Sequence, residues 1–175
     1  NSLIELEQQR HHHNAFFDSK NSQFIIFGGF GNQRLTNNFN TYNIESDTWE
    51  LLSFTGDTIA PRYFSGLTKI GKQELLLFGG EGNETGDPSI GKTYYYDCHK
   101  INLATRKIKK LWNIKRGDVK MVSSRNLVVS KDSSSFYNLS YPEYIASTYL
   151  QLYEYSIKNG NYQTLGDAIP MVSER

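Results

Sequence analysis

At 175 residues the chain is long enough for one domain with a real core, since a domain of that size buries around 70 % of the surface its unfolded chain exposes. Lys and Arg total 19 against 18 Asp and Glu, a formal charge of +1, so the charge balance gives no reason to expect a nucleic acid or an acidic membrane as partner. The single cysteine, Cys98, excludes an internal disulfide; no apolar run approaches the roughly 18 residues of a membrane span, and the N-terminal residues lack the charged head and apolar stretch of a signal peptide.

Asn1 to Gln9, with Leu3, Ile4 and Leu6, read as an outer strand of a unit that begins earlier. Arg10-His-His-His13-Asn-Ala15 follows. Three consecutive histidines invite a metal reading, but only His11 and His13 share one side of a strand, and they would need further ligands from elsewhere. The β-prone run QFIIFGGFGN at 23 to 32 then ends in a double glycine and opens into a polar stretch. Tyr42-Asn-Ile-Glu-Ser-Asp-Thr-Trp49 sets two large side chains seven residues apart around a four-residue turn at Asp47, which predicts a tight hairpin.

The same landmarks then recur. Pro61-Arg62-Tyr-Phe-Ser65-Gly-Leu67 stands where Arg10 to Ala15 stood, and ELLLFGGEGN at 74 to 83 repeats the earlier run, with FGG moved from 27 to 78, an offset of 51. Residues 86 to 93, GDPSIGKT, match G-x-x-x-x-G-K-[ST]. A phosphate-binding loop follows its strand at once and opens a helix. Here the apolar run stops at Phe78, and Thr93-Tyr-Tyr-Tyr96 begins a β-prone stretch. The expectation is a long loop between two strands, with no nucleotide. Ile101 and Ile108 echo Tyr42 and Trp49, and the basic residues Arg106, Lys107, Lys109 and Lys110 read as a solvated strand face. A last unit runs through Val122-Ser-Ser-Arg125-Asn-Leu127, with Leu139-Ser140 expected in place of the double glycine, to Tyr155 and Tyr162 around Asn159-Gly160.

A β-only unit of about 50 residues is the mark of a propeller blade. The strand ending in Gly-Gly, the Tyr and Trp seven apart and the Pro-Arg that opens the next unit resemble the kelch repeat over essentially the whole chain. The resemblance implies an all-β fold of about three four-stranded antiparallel kelch-type β-propeller blades in an incomplete propeller. The boundaries expected are 1–9 for an outer strand of a preceding blade, 10–61 for one blade, 62–121 for a second with a long loop at 81–93, and 122–174 for a degenerate third, with 175 opening the next unit. Tyr42 and Trp49 are expected to fill the wedge between neighbouring blades and Phe27 and Phe78 to lie in the core. Further blades of the same chain, or self-association, are expected to cover the open edges.

Two function classes follow from the resemblance. Galactose oxidase-like propellers carry copper on tyrosines and histidines, which draws attention to Tyr94, Tyr95, Tyr96, Cys98 and His99; a sugar epimerase is the other enzymatic alternative. Neither finds its full set of residues here, so no cofactor and no metal are expected. The preferred reading is a non-enzymatic module that binds a protein, peptide or glycan. Its face would be built from the loops after each double glycine and the links between blades. The candidate residues there are Asn32, Arg34, Asn37, Glu81, Asn83, Glu84 and Lys92, with Arg10 and Arg62 nearer the central channel. A resemblance to kelch sensor modules of larger bacterial envelope proteins implies an extracytoplasmic location.

Overall fold

The computed structural model describes residues 10–31, 33–115, 127–141 and 149–170. The first sheet is β2 (Asn14–Asp18), β3 (Gln23–Phe27), β5 (Phe39–Asn43) and β6 (Thr48–Leu52), preceded by β1 (Arg10–His11), which pairs only with β4 (Phe30–Gly31). The second is built on β9 (Gly66–Lys69), β10 (Glu74–Gly82), β11 (Thr93–Asn102) and β12 (Lys107–Asn113); β7 (Thr55–Gly56) joins it beside β12 and β8 (Arg62–Tyr63) joins it beside the end of β10. The third is β13 (Val128–Val129), β14 (Ser135–Ser140), β15 (Tyr149–Ser156) and β16 (Tyr162–Pro170). All pairings are antiparallel except that of β7 with β12.

Side chains alternate across a strand, so each sheet offers one face to each neighbour. Ile25, Phe27, Phe39 and Leu52 of the first sheet pack against Ile59, Leu67, Leu75, Leu77 and Ile101. The other face of the second sheet, Leu76, Phe78, Tyr96 and Cys98, packs against Leu127, Phe136, Tyr153 and Tyr155. Two apolar layers thus bind three sheets in sequence, the arrangement expected of propeller blades.

The hairpin landmark is structural in all three copies. Tyr42 stands opposite Trp49, Ile101 opposite Ile108 and Tyr155 opposite Tyr162. Five residues after the first member of each pair the chain turns through positive φ, at Asp47 (53°), Arg106 (53°) and Gly160 (75°). The double glycines are equally repetitive: Gly28 and Gly29 have φ of 63° and 109°, Gly79 and Gly80 of 65° and 100°. Side chains are excluded there by strain and by space, since a Cβ on Gly28 would lie 2.7 Å from the carbonyl oxygen of Arg62 and one on Gly80 would lie 2.8 Å from that of Tyr63.

One expectation is corrected. Phe136 opposes Tyr155 as Leu75 opposes Ile101, so Ser140-Tyr141, one residue later than expected, holds the place of the double glycine. Tyr42 and Trp49 pack on each other with ring centroids 5.1 Å apart on the face of the first sheet turned away from the second, while their counterparts Ile101 and Tyr155 lie in the two inter-sheet layers. The indole between blades is Trp112, 5.8 Å from Phe78, with its Nε1 donating to the carbonyl of Ile157 at 2.9 Å.

Candidate functional site

Strand β8 carries Arg62 into the seam between β10 and β11. The side chain is only 1 % exposed, and each of its nitrogens donates: Nε to the carbonyl of Ala60 at 3.0 Å, Nη1 to that of Gly79 at 3.1 Å, and Nη1 and Nη2 as a fork to Asp97 at 2.5 and 3.0 Å. The Tyr95 ring caps the guanidinium at 4.0 Å. Burial alone would raise the Asp97 carboxyl, but the hydrogen bonds and charge of Arg62 outweigh it and hold the group below its ordinary value. Burial pushes the Tyr95 phenol up to about 12. Arg62 is thus bound into the interior.

Beside this network His99 is fully buried, with neither ring nitrogen hydrogen-bonded among the described residues. Burial lowers it to about 4, against the opposing pull of Asp97. The unfolded chain therefore takes the proton first. The contribution of this group to stability is expected to be fully present above about pH 6.5 and to be lost as pH drops toward 4. We expect urea midpoints to decline across that window and the His99→Leu variant to decline less; parallel profiles would refute the assignment.

The outer corner of the same seam is polar and partly open. Glu81, on the last turnout of β10, stands opposite both Tyr63 and Tyr94. Its Oε1 accepts from Lys92 Nζ at 3.0 Å, and the same ammonium donates to the Tyr63 hydroxyl at 3.2 Å. Burial would lower Lys92, but these hydrogen bonds outweigh it and raise the ammonium to about 12. Tyr63 stacks on Phe30 at 5.8 Å, and His12 lies 6.2 Å from Tyr63 and 4.2 Å from Phe64. His12 and Phe64 occupy equivalent places in the two blades, both at positive φ (59° and 58°), with the Phe64 N–H donating to the His12 carbonyl at 3.2 Å. Non-glycine residues held in that region gather at functional corners more often than elsewhere.

The long loop beside this corner is internally braced. Asn83 Nδ2 donates to the carbonyls of Asp87 and Gly91, both at 2.7 Å, while its Oδ1 accepts from Thr85 at 3.1 Å. Asp87 accepts from the Ser89 N–H and hydroxyl, which lowers its carboxyl, and starts a short turn at Pro88–Ile90. The Leu35 N–H donates to the Gly86 carbonyl at 2.8 Å, tying the first blade's loop to the second's. Arg34 and Glu84 are exposed on these two loops. Thr93 opens a strand rather than a helix, and Lys92 turns to Glu81, so GDPSIGKT has none of the surroundings of a phosphate loop.

Of the candidate residues, the structure brings Glu81 and Lys92 into contact and sets Arg34, Asn83 and Glu84 on the linked loops. Asn37 donates to the Ile59 carbonyl at 2.7 Å. Arg10 is half-buried, its Nη2 donating to Asn40 Oδ1, and burial lowers its pKa. Asn32 lies outside the described residues. At the histidine run, His11 and His12 bring their Nδ1 atoms together and His13 Nδ1 lies 3.1 Å from the Arg10 carbonyl; no cluster of three or more His, Cys, Asp or Glu suited to a metal occurs among the described residues. Sequence reasoning missed Tyr63, Phe30 and His12 as members of the corner, although Tyr63 directly follows the Pro-Arg landmark. It also missed an open cleft of about 310 Å³ that includes Asn37, Leu51, Phe54, Asp57 and Ile108 in its lining.

Three successive all-β sheets with these repeated landmarks define kelch propeller blades, a class of domain that generally mediates protein–protein interaction. The chain matches the KLHDC2/KLHL20/DRC7 kelch-repeats domain over residues 4–168 and belongs to that family. No curated protein sequence matches it significantly.

Proposed function

We propose that this domain recognises a peptide segment of a partner protein on the face formed by residues 33–38, residues 83–93 and the Tyr63–Glu81–Lys92 corner. The observation that carries the reading is the bond from Leu35 to Gly86, which joins two polar loops of adjacent blades into one surface beside a partly exposed aromatic corner. Polar loops braced on a rigid sheet scaffold supply specificity without paying for their own ordering at each encounter. The loop 83–93 is longer than a link between two adjacent strands requires, and such length is more often functional than incidental.

Peptide display against the 175-residue chain, with a glycan array in parallel, supplies a ligand for the test. Arg34→Ala and Glu84→Ala are expected to weaken its binding by about fivefold or more, the scale of an interface contact worth about 1 kcal/mol. Lys72→Ala and Asp47→Ala, at the hairpin ends of the sheets, are expected to leave it unchanged. Loss confined to the Lys72 and Asp47 variants would refute the assignment of the face, and capture of glycans alone would refute the ligand class.

A further inference from the structure

Glu81 is a buried carboxylate that the fold satisfies on one side only. Its residue is 5 % exposed; Oε1 is bonded to Lys92 and the Tyr63 hydroxyl also acts on the carboxylate, while Oε2 is buried and makes no well-formed hydrogen bond. A buried acceptor left unpaired is costly, more so when charged. The architecture itself does not demand a carboxylate there. The equivalent position of the first blade, the residue after Gly28-Gly29, is Phe30, an apolar ring. The second blade has placed a charge where its neighbour places a hydrocarbon.

Lys92 shows what the corner accepts. Its ammonium is bonded to the carboxylate and the Tyr63 hydroxyl and stands 5.8 Å from the centre of the Tyr63 ring. A carboxylate beside an aromatic face is the pairing that selects cations. Lys92 also has a way out to solvent, because its side chain remains 46 % exposed at the end of the long loop. Arg62, the other nearby cation, is locked on Asp97 and does not compete.

Resting on the recognition face argued above, we propose that Glu81 is the seat for an arginine side chain of the protein ligand, which displaces Lys92. A guanidinium can donate to both carboxylate oxygens as a planar fork, Oε2 included, and lie along the Tyr63 ring, whereas an ammonium is a point donor. Release of Lys92 gives up its bonds to Glu81 and Tyr63, a cost that the guanidinium fork must exceed. Phe30 and His12 flank the ring and help to exclude water around the pair, which strengthens it.

The probes are N-acetyl-arginine amide, N-acetyl-lysine amide and neutral N-acetyl-glutamine amide, titrated into the ¹⁵N-labelled chain while the amides of Tyr63, Glu81 and Tyr94 are followed by NMR. The arginine probe is expected to shift these amides and the glutamine probe to leave them in place, with the lysine probe weaker than arginine. Lys92→Ala, which empties the seat, is expected to tighten the arginine probe about tenfold, the scale of one charge-assisted hydrogen bond. Glu81→Gln, matched in shape, is expected to abolish the response. Lys92→Ala stands at an exposed loop end and carries the test by itself if Glu81→Gln does not fold. Equal response to arginine and glutamine, or weaker binding in Lys92→Ala, would overturn the proposal. A displayed peptide that needs Arg34 and Glu84 but tolerates Glu81→Gln would sink the arginine seat and leave the face standing; one that needs only Lys72 and Asp47 would sink the face itself.

Discussion

Replacing Asp97 by alanine is expected to destabilise the domain by about 3–5 kcal/mol, the cost of stranding a buried guanidinium whose charge has lost its partner. Arg62 cannot relax toward water, because it is 1 % exposed and pinned to the carbonyls of Ala60 and Gly79. The double variant Arg62→Met/Asp97→Leu is expected to recover a large part of that loss, since it removes both charges and refills the space. Urea unfolding of the two single variants and the pair closes the cycle. Single variants within about 1 kcal/mol of the parent protein would show that the network adds little to stability.

Phe78→Ala carries the second large expected effect, about 3–5 kcal/mol. Phe78 is fully buried, with its ring 4.8 Å from Tyr155, 5.0 Å from Phe136 and 5.8 Å from Trp112. Its loss opens a cavity at the seam of the second and third sheets, where the rings on both sides are too constrained by their strands to close in. Trp49→Ala, although it deletes more atoms, is expected to cost less than half as much because Trp49 is partly exposed. Equal midpoint shifts in denaturant for the two variants would contradict this ranking.

The residues explain why some of this was legible in advance and some was not. The hairpins were readable because a pair seven apart encloses a turn that local chemistry advertises at Asp47 and at Asn159-Gly160. The same turn at Arg106 carries no such signal, since arginine has no preference for the positive φ it adopts there. The blade faces were readable from period-two alternation and from the double glycine. Trp49 was legible as a packing residue, but an aromatic at a repeat position does not say which sheet it packs against. The corner was only half visible: Glu81 and Lys92 stood out as loop charges, whereas their bond spans 11 residues, that of Lys92 to Tyr63 spans 29, and that of Arg62 to Asp97 spans 35. No local pattern encodes pairings at such separations.

The parallel seam between β7 and β12 sets a timetable for the nascent chain. Thr55 pairs with Lys107 and Gly56 with Ile108, a separation of 52 residues in each case (107 − 55 and 108 − 56). Closing a loop of that length adds little entropy beyond a shorter one, but contacts between distant residues slow folding. At a synthesis rate of about 5–20 residues per second, Thr55 and Gly56 emerge roughly 3–10 s before their partners exist. During that interval the first blade is complete in sequence while Ile59 and Phe54 lack the β11 and β12 side chains, among them Ile101 and Ile108, that later join them in the same apolar layer. Until β12 is made, β7 and this part of the apolar layer therefore wait without the partners that the finished sheet gives them.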